Sequence, residues 1–293
     1  MFKLEFINAK NESIELFSYP YLLFRFEGLG DVGAIHQTQQ SYNQDGATLM
    51  HTTLDSRHPV IELKITGRNE EELARNRQRL TSVFNPKLGL GTLKRISKDG
   101  VHQLDAIAES VPYYPDGVGN RSRTFQKTLI NLYCPNPYWQ DEAETKKDVS
   151  TEIGNFSFPL HIPPEGLELS IRTISFVTNL YNPGDVEAPI RIRLKATGTV
   201  ENPVITNLDT GEFIRIKRGL SEGDTLEINT VFGNKRVEII RPDGSRENAF
   251  NYIDYKSAFF SIEPGDTQLK YDADIGNNNL DVSIYYTPRY LGV

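Results

Sequence analysis

Apolar and polar residues alternate with a period of two through most of the chain. Phe2, Leu4 and Phe6 alternate with Lys3 and Glu5, and the pattern resumes at Ile14 and Leu16 after a polar run from Asn8 to Ser13. That arrangement predicts an opening hairpin. Tyr21 to Phe26 predicts a third strand, and Ile61, Leu63 and Ile65 opposite Glu62 and Lys64 predict a half-buried fourth. Gly91 to Ile96 and the Leu104, Ala106, Ala108 face return the chain to β structure. Phe125 to Cys134 follows, apolar on both alternating faces, and reads as a strand covered on both sides.

One segment has a helical period instead. Leu73, Arg77, Leu80 and Phe84 form a stripe with Val83 beside it, and Asn85-Pro86 ends it. Asn69 is placed to cap this helix, Glu72 three residues on completes a capping box, and Glu70 and Glu71 suit the positive end of its dipole. Leu80 is the expected anchor against the sheet.

Pro135 and Pro137 stop the long strand, and Asp141 to Thr151 is polar and charged with no apolar period, which reads as an exposed linker. Two domains follow, residues 1–143 and 144–293. The second shows only short alternating segments: Leu167, Leu169 and Ile171; Ile190, Ile192, Leu194 and Ala196; Leu226 and Ile228; Val237 and Ile239; Leu269 and Tyr271; Val282, Ile284 and Tyr286. Turn signals at Asp209 to Gly211, Phe232 to Asn234, Pro242 to Gly244 and Pro264 to Asp266 separate them, so an antiparallel β-sandwich is expected. The fold class is mainly β, with one helix in the first domain.

Composition narrows the partners. To Glu142 the chain has 16 Lys and Arg against 17 Asp and Glu, and beyond it 16 against 22. Neither half supplies the positive field that nucleic acid requires. The single Cys134 forms no internal disulfide and reads as a small apolar residue at a strand end. Neither an export signal nor a membrane-spanning run is found, so no membrane insertion is expected, and the sequons at Asn11, Asn120 and Asn155 are read as accidental.

Candidate chemistry does not converge. Gly28, Gly30 and Gly33 spell G-x-G-x-x-G, but Ala34 to Asn43 has neither the helix nor the following parallel strand that dinucleotide binding needs, so the glycines read as a turn. His36, His51, His58, His102 and His161 are scattered; the His51, Asp55, His58 group falls in a polar stretch that reads as a loop and matches no ligand spacing. Asp272 to Asp281 departs from the calcium-loop pattern at Gly276 and Asn277 and reads as a hairpin turn. No catalytic residue, cofactor or metal ligand is expected. The loop from Pro112 to Ser122 bears aromatic residues and suits a contact surface or a plain hairpin tip.

In their order, the opening strands, the capped helix running into Asn85-Pro86 and Gly91 to Leu93, the junction Cys134, Pro135, Asn136, Pro137, Tyr138, Trp139, the Glu263 to Asp266 turn and the C-terminal run from Tyr285 to Val293, with Pro288, Arg289, Tyr290, Leu291, Gly292 and Val293 at its end, resemble the siphophage distal tail protein family. The resemblance implies a first domain that forms a hexameric ring continuing the tail tube. It implies that the whole is a hub at the virion tail tip, joining the tail tube protein to tail-associated hub or fibre proteins and a receptor-binding protein. It further implies that a galectin-like second domain projects outward and connects to adsorption or peripheral baseplate proteins, and that there is no enzymatic activity. The rival reading is a carbohydrate-binding sandwich used in host adsorption. Sugar sites favour flat aromatic faces, Trp above all, and the single Trp139 lies at the junction.

Overall fold

The computed structural model describes residues 2–154, 170–174 and 176–293, with backbone alone for 150–154 and 170–174. His161, the Asn155 sequon and the expected Leu167 and Leu169 alternation lie outside the described residues. The chain forms two compact units, Met1–Glu142 with Tyr290–Val293, and Ala143–Arg289. The last four residues therefore belong with the first.

The first unit is built on strands β1 (Lys3–Ile7), β2 (Ser13–Glu15), β3 (Tyr21–Glu27), β4 (Ala34–Gln39), β5 (Thr48–Leu54), β6 (Val60–Thr66), β7 (Gly91–Ser97), β8 (Gly100–Ala108), β9 (Phe125–Tyr133) and β10 (Trp139–Asp141), with helix α1 (Glu70–Val83) between β6 and β7. The main sheet runs β2-β1-β7-β8-β9-β6-β3, and its register pairs are antiparallel. The opening hairpin closes through Asn8, whose Oδ1 accepts from the amides of Lys10 at 2.9 Å and Glu12 at 3.0 Å.

Helix α1 begins where its signals place it. Asn69 Oδ1 accepts from the Glu72 amide at 2.8 Å, while the Glu72 carboxylate reaches past the cap residue to the amide of Arg68, also at 2.8 Å. Leu73, Leu80, Val83 and Phe84 are buried, and Phe84 stacks on Phe6 of β1 with ring centroids 4.4 Å apart. Arg77 is the exception in the stripe: it stays at the rim, its guanidinium 4.5 Å over the Tyr114 ring.

Three expectations change here. Strand β9 buries one face, Gln126, Thr128, Ile130 and Leu132, and half-covers the other, so it is not enclosed on both sides. Its two buried polar residues are satisfied by the Pro112 to Ser122 segment, Gln126 Nε2 donating to Pro115 O at 2.9 Å and Thr128 Oγ1 to Tyr113 O at 3.0 Å. That segment is accordingly no free tip: Tyr113 exchanges both backbone hydrogen bonds with Leu129. The His51 stretch is not a loop either. β4 and β5 pair into an antiparallel ribbon outside the main sheet, and His51 lies in it opposite Gln37. With neither face buried, the ribbon has no apolar alternation by which a sequence would declare it.

Among the described residues the second unit has, beside two short two-stranded pairs, two large antiparallel sheets. One orders the segments 145–148, 280–286, 188–196, 225–229, 236–240 and 246–248; the other orders 177–182, 265–272, 204–207 and 213–215. Ile190, Ile192, Leu194, Val282 and Ile284 of the first sheet share one core with Leu180, Ile205, Leu269 and Tyr271 of the second. The expected linker is partly strand: Thr145–Asp148 pairs along Leu280–Tyr286 with every side chain exposed. Backbone hydrogen bonds, with the Ser283 hydroxyl donating to Asp148 Oδ1, hold such an edge, so a polar sequence suffices. The Asp272 to Asp281 segment joins strands of different sheets and is an arch, not a hairpin turn. Gly276 sits in it at φ +75°, where an added Cβ would meet Thr199 O at 2.1 Å.

Candidate functional site: a buried clasp and an open ribbon

The motif residues of the junction gather around one side chain that the sequence did not single out. Arg57 follows β5, 2% exposed, and its backbone pairs with Cys134 in both directions at 3.1 and 2.9 Å. Its guanidinium donates to four carbonyls: Leu29 at 3.2 Å, Asp31 at 2.6 Å, Pro137 and Leu291. The indole of buried Trp139 donates to the same Leu29 carbonyl at 2.9 Å. Burial pulls the Arg57 guanidinium below its ordinary pKa, and no carboxylate is among its hydrogen-bond partners. A cation held this way depends on every carbonyl being in place.

Of the remaining motif residues, Asn136, Tyr290 and Gly292 belong to the same unit as this clasp. Asn136 Oδ1 accepts from the Tyr138 amide at 3.3 Å, fixing the turn between Pro135 and Pro137. Tyr290 sets its ring edge against His102 at 5.0 Å and its hydroxyl 3.4 Å from Asp141 Oδ2. Gly292 lies so close to Gly30 that an added Cβ would stand 3.1 Å from its carbonyl. Pro288 and Arg289 belong to the second unit, where the Arg289 carbonyl accepts from the Asp185 amide at 2.8 Å. Burial pushes the Cys134 thiol up to about 12, which leaves it an inert core residue.

The glycine-rich segment acquires a definite role. Its Leu29 and Asp31 carbonyls face Arg57 and Trp139, so it offers acceptors where a dinucleotide loop would offer N–H donors to phosphate. Gly28 turns the chain at φ +74°, with the His58 carbonyl 3.1 Å from where a Cβ would be.

Two further clusters have the residue types of chemistry without its setting. Ser56 Oγ is 3.3 Å from His58 Nε2, and His58 Nδ1 is 2.6 Å from Glu109, an order of groups known from hydrolases. The His58 and Glu109 side chains are 56% and 37% exposed, and the Ser56 amide that could steady an oxyanion is spent on Asp55. No group of three His, Cys, Asp or Glu suited to a metal occurs among the described residues.

What the first unit leaves open is strand. In β4 and β5 every residue but the half-buried Leu54 is exposed, among them Ile35, Leu49 and Met50, and the turn between them carries Tyr42 at 95% exposure. Among the described residues β3 pairs with β6 alone and ends the main sheet, with Leu22, Phe24 and Phe26 exposed. Unpaired edges and uncovered apolar ribbons are surfaces that invite another chain.

Two family models match. Residues 12–160, just over half of the chain, match the phage tail protein RIFT-related domain, and residues 183–290 match the siphovirus-type tail component, C-terminal domain. Among solved structures, the chain is similar in fold to phage SPP1 Dit, described as a paradigm of the hub adsorption apparatus in phages that infect Gram-positive bacteria. The TM-score is 0.70 at 16% identity over 99% of this chain and 100% of that one. A chain of the phage P2 baseplate in its activated conformation with Ca matches at TM-score 0.54 and 11% identity over the whole of both chains. No curated protein matches. Two consecutive tail-component domains, the first matched over more than half of the chain, settle the assignment: the chain belongs to the siphophage distal tail protein family and is a structural component of the virion tail tip, at the baseplate hub.

Proposed function

We propose that the first unit closes a ring of identical subunits, a hexamer, that continues the tail tube. The second unit is the platform on which tail-associated hub or fibre proteins and a receptor-binding protein dock. The observation that supports the ring is the β4–β5 ribbon: a two-stranded hairpin with no buried face is marginal in water, so it persists through a partner, and a heterologous contact repeated around an axis supplies one from the next copy. The protein then acts by positioning and catalyses nothing. The junction residues Cys134 to Trp139 and Pro288 to Gly292 serve as the attachment of the two units, each of which folds around its own core. Against the saccharide reading stands Trp139, buried in the first unit with its indole N–H committed, so it offers no face to a sugar.

Light scattering on the purified chain tests the ring. The native chain is expected as a closed oligomer. A variant with Ile35→Asp, Leu49→Asp and Met50→Asp is expected as a monomer with unchanged circular dichroism. A monomeric native chain, or a variant that still assembles, overturns the reading.

A further inference from the structure

The second unit crowds aromatic rings and cations onto one surface. Phe250 and Phe259 stack with centroids 5.8 Å apart, and Lys235 lies 5.3 Å over Phe259. Arg218 is 4.9 Å over Tyr252, and Tyr255 has Lys217 at 5.8 Å and Lys256 at 5.6 Å. The backbone brings these together: Ile216 bridges Ile253, and the Lys217 amide donates to Tyr252 O at 2.7 Å. Phe232 stands on the same turn as Lys235 and is 93% exposed; Tyr255 is 84% exposed.

The charge here runs against its surroundings. Residues 143–289 hold 22 Asp and Glu against 16 Lys and Arg. Lys217 is paired with Asp254 at 2.9 Å and Arg218 with Glu247 at 3.4 Å, but Lys235, Arg236 and Lys256 have no carboxylate partner among the described residues. Lys235 and Lys256, steadied over rings and left without an anion, are preset to receive one, Arg236 adds its charge beside them, and exposed aromatic side chains next to them are the residue types that anchor protein interfaces. The occupant follows from the geometry. The cations sit over the ring faces, so the rings are not offered as flat platforms to a sugar, whereas the projecting Phe232 needs a recess to enter.

We propose that the surface of Phe232, Tyr255, Phe259, Lys235, Arg236 and Lys256 docks another virion protein, one with an apolar recess for Phe232 and carboxylates around it for the three unpaired cations. This rests on the hub reading, since an adapter needs a second partner beyond its own copies.

The test uses assembled particles in which Phe232 is replaced by photoreactive benzoylphenylalanine. Irradiation is expected to crosslink it to one peptide of a different virion protein, with Asp or Glu flanking an apolar stretch. Lys235→Glu with Lys256→Glu is expected to cut the yield at least tenfold, and Lys235→Arg with Lys256→Arg to preserve it. No crosslink at 232, a crosslink to another copy of this chain, or a yield indifferent to charge reversal overturns the proposal. Binding of the purified chain to a polyanionic glycan that the same reversal abolishes overturns it too, by giving the surface to a polymer. The same probe placed at Ile35 keeps the two readings apart: it reports contact between copies, so its success with failure at 232 leaves the ring standing and removes only this proposal.

Discussion

β5 and β6 follow one another in the chain, and both are seven-residue strands, yet they are held by different things. β6 lies between β3 and β9, with Ile61, Leu63 and Ile65 wholly buried and the intervening residues half-buried. β5 has β4 alone, and both its faces are open. The register of β6 is fixed by a core that a one-residue slip would turn inside out, while β5 is fixed by its turn and, in the ring proposed above, by another subunit. The lesson is that a strand shaped by its own core is written in alternation, whereas a strand with both faces open carries no such period.

The comparison is broken most severely by a charge in the core strand. Leu63→Asp is expected to cost at least about 4 kcal/mol, because the carboxylate is desolvated with no partner, and thermal denaturation of the first unit is expected to lose its cooperative transition. A normal melt would mean that β6 does not carry the core.

Arg57→Met comes next. It keeps the bulk but strips hydrogen bonds from carbonyls of three segments, and roughly 3 kcal/mol of stability is expected to go with them, read as a shift in denaturant midpoint. Limited proteolysis is expected to open the chain on either side of Trp139. An unchanged midpoint would show that the carbonyls find water instead.

Cys134 gives a smaller, pH-dependent effect. Its folded pKa is raised from 9.0 to about 12, so the stability it contributes is full below pH 9 and is lost as pH rises from there toward 12. The loss approaches 1.4 kcal/mol per pH unit for this one group. Cys134→Ala is expected to flatten the alkaline limb of a stability profile by that slope relative to the native chain, and identical slopes would refute the burial of the thiol.

Met50→Asp, the counterpart of Leu63→Asp on the open strand, is expected to change stability by no more than about 0.5 kcal/mol. Chemical denaturation of this variant, made in the background of Ile35→Asp and Leu49→Asp and compared with that double variant, measures it. A large loss would place the ribbon inside the core of its own subunit after all.

How much of this could be read in advance follows the same division. Helix α1 was legible because Asn69, Glu72 and the Leu73 to Phe84 stripe are local signals with fixed spacings. The sandwich strands Ala188–Ala196 and Leu280–Tyr286 were legible because each buries one face. The ribbon was not, nor was Thr145–Asp148, since strands without a buried face carry no period. Arg57 was the least legible. It sits between Ser56 and His58 in a polar run, and nothing local says that its carbonyl partners lie 26, 28, 80 and 234 residues away. The junction motif was visible as letters, but what the letters surround was not.

The placement of Tyr290–Val293 with the first unit bears on how such a chain can be exchanged between lineages. The second unit is an insert bounded by two joints, at 142/143 and 289/290. A recombination event with one crossover would pair a donor's tail with a recipient's Arg57, and the Leu291 carbonyl would have to meet a guanidinium it was not selected beside. Two crossovers, one at each joint, would lift the second unit out whole and leave the clasp intact. On the function proposed above, chimaeras cut at both joints are the ones in which a new docking platform can be grafted without rebuilding the ring.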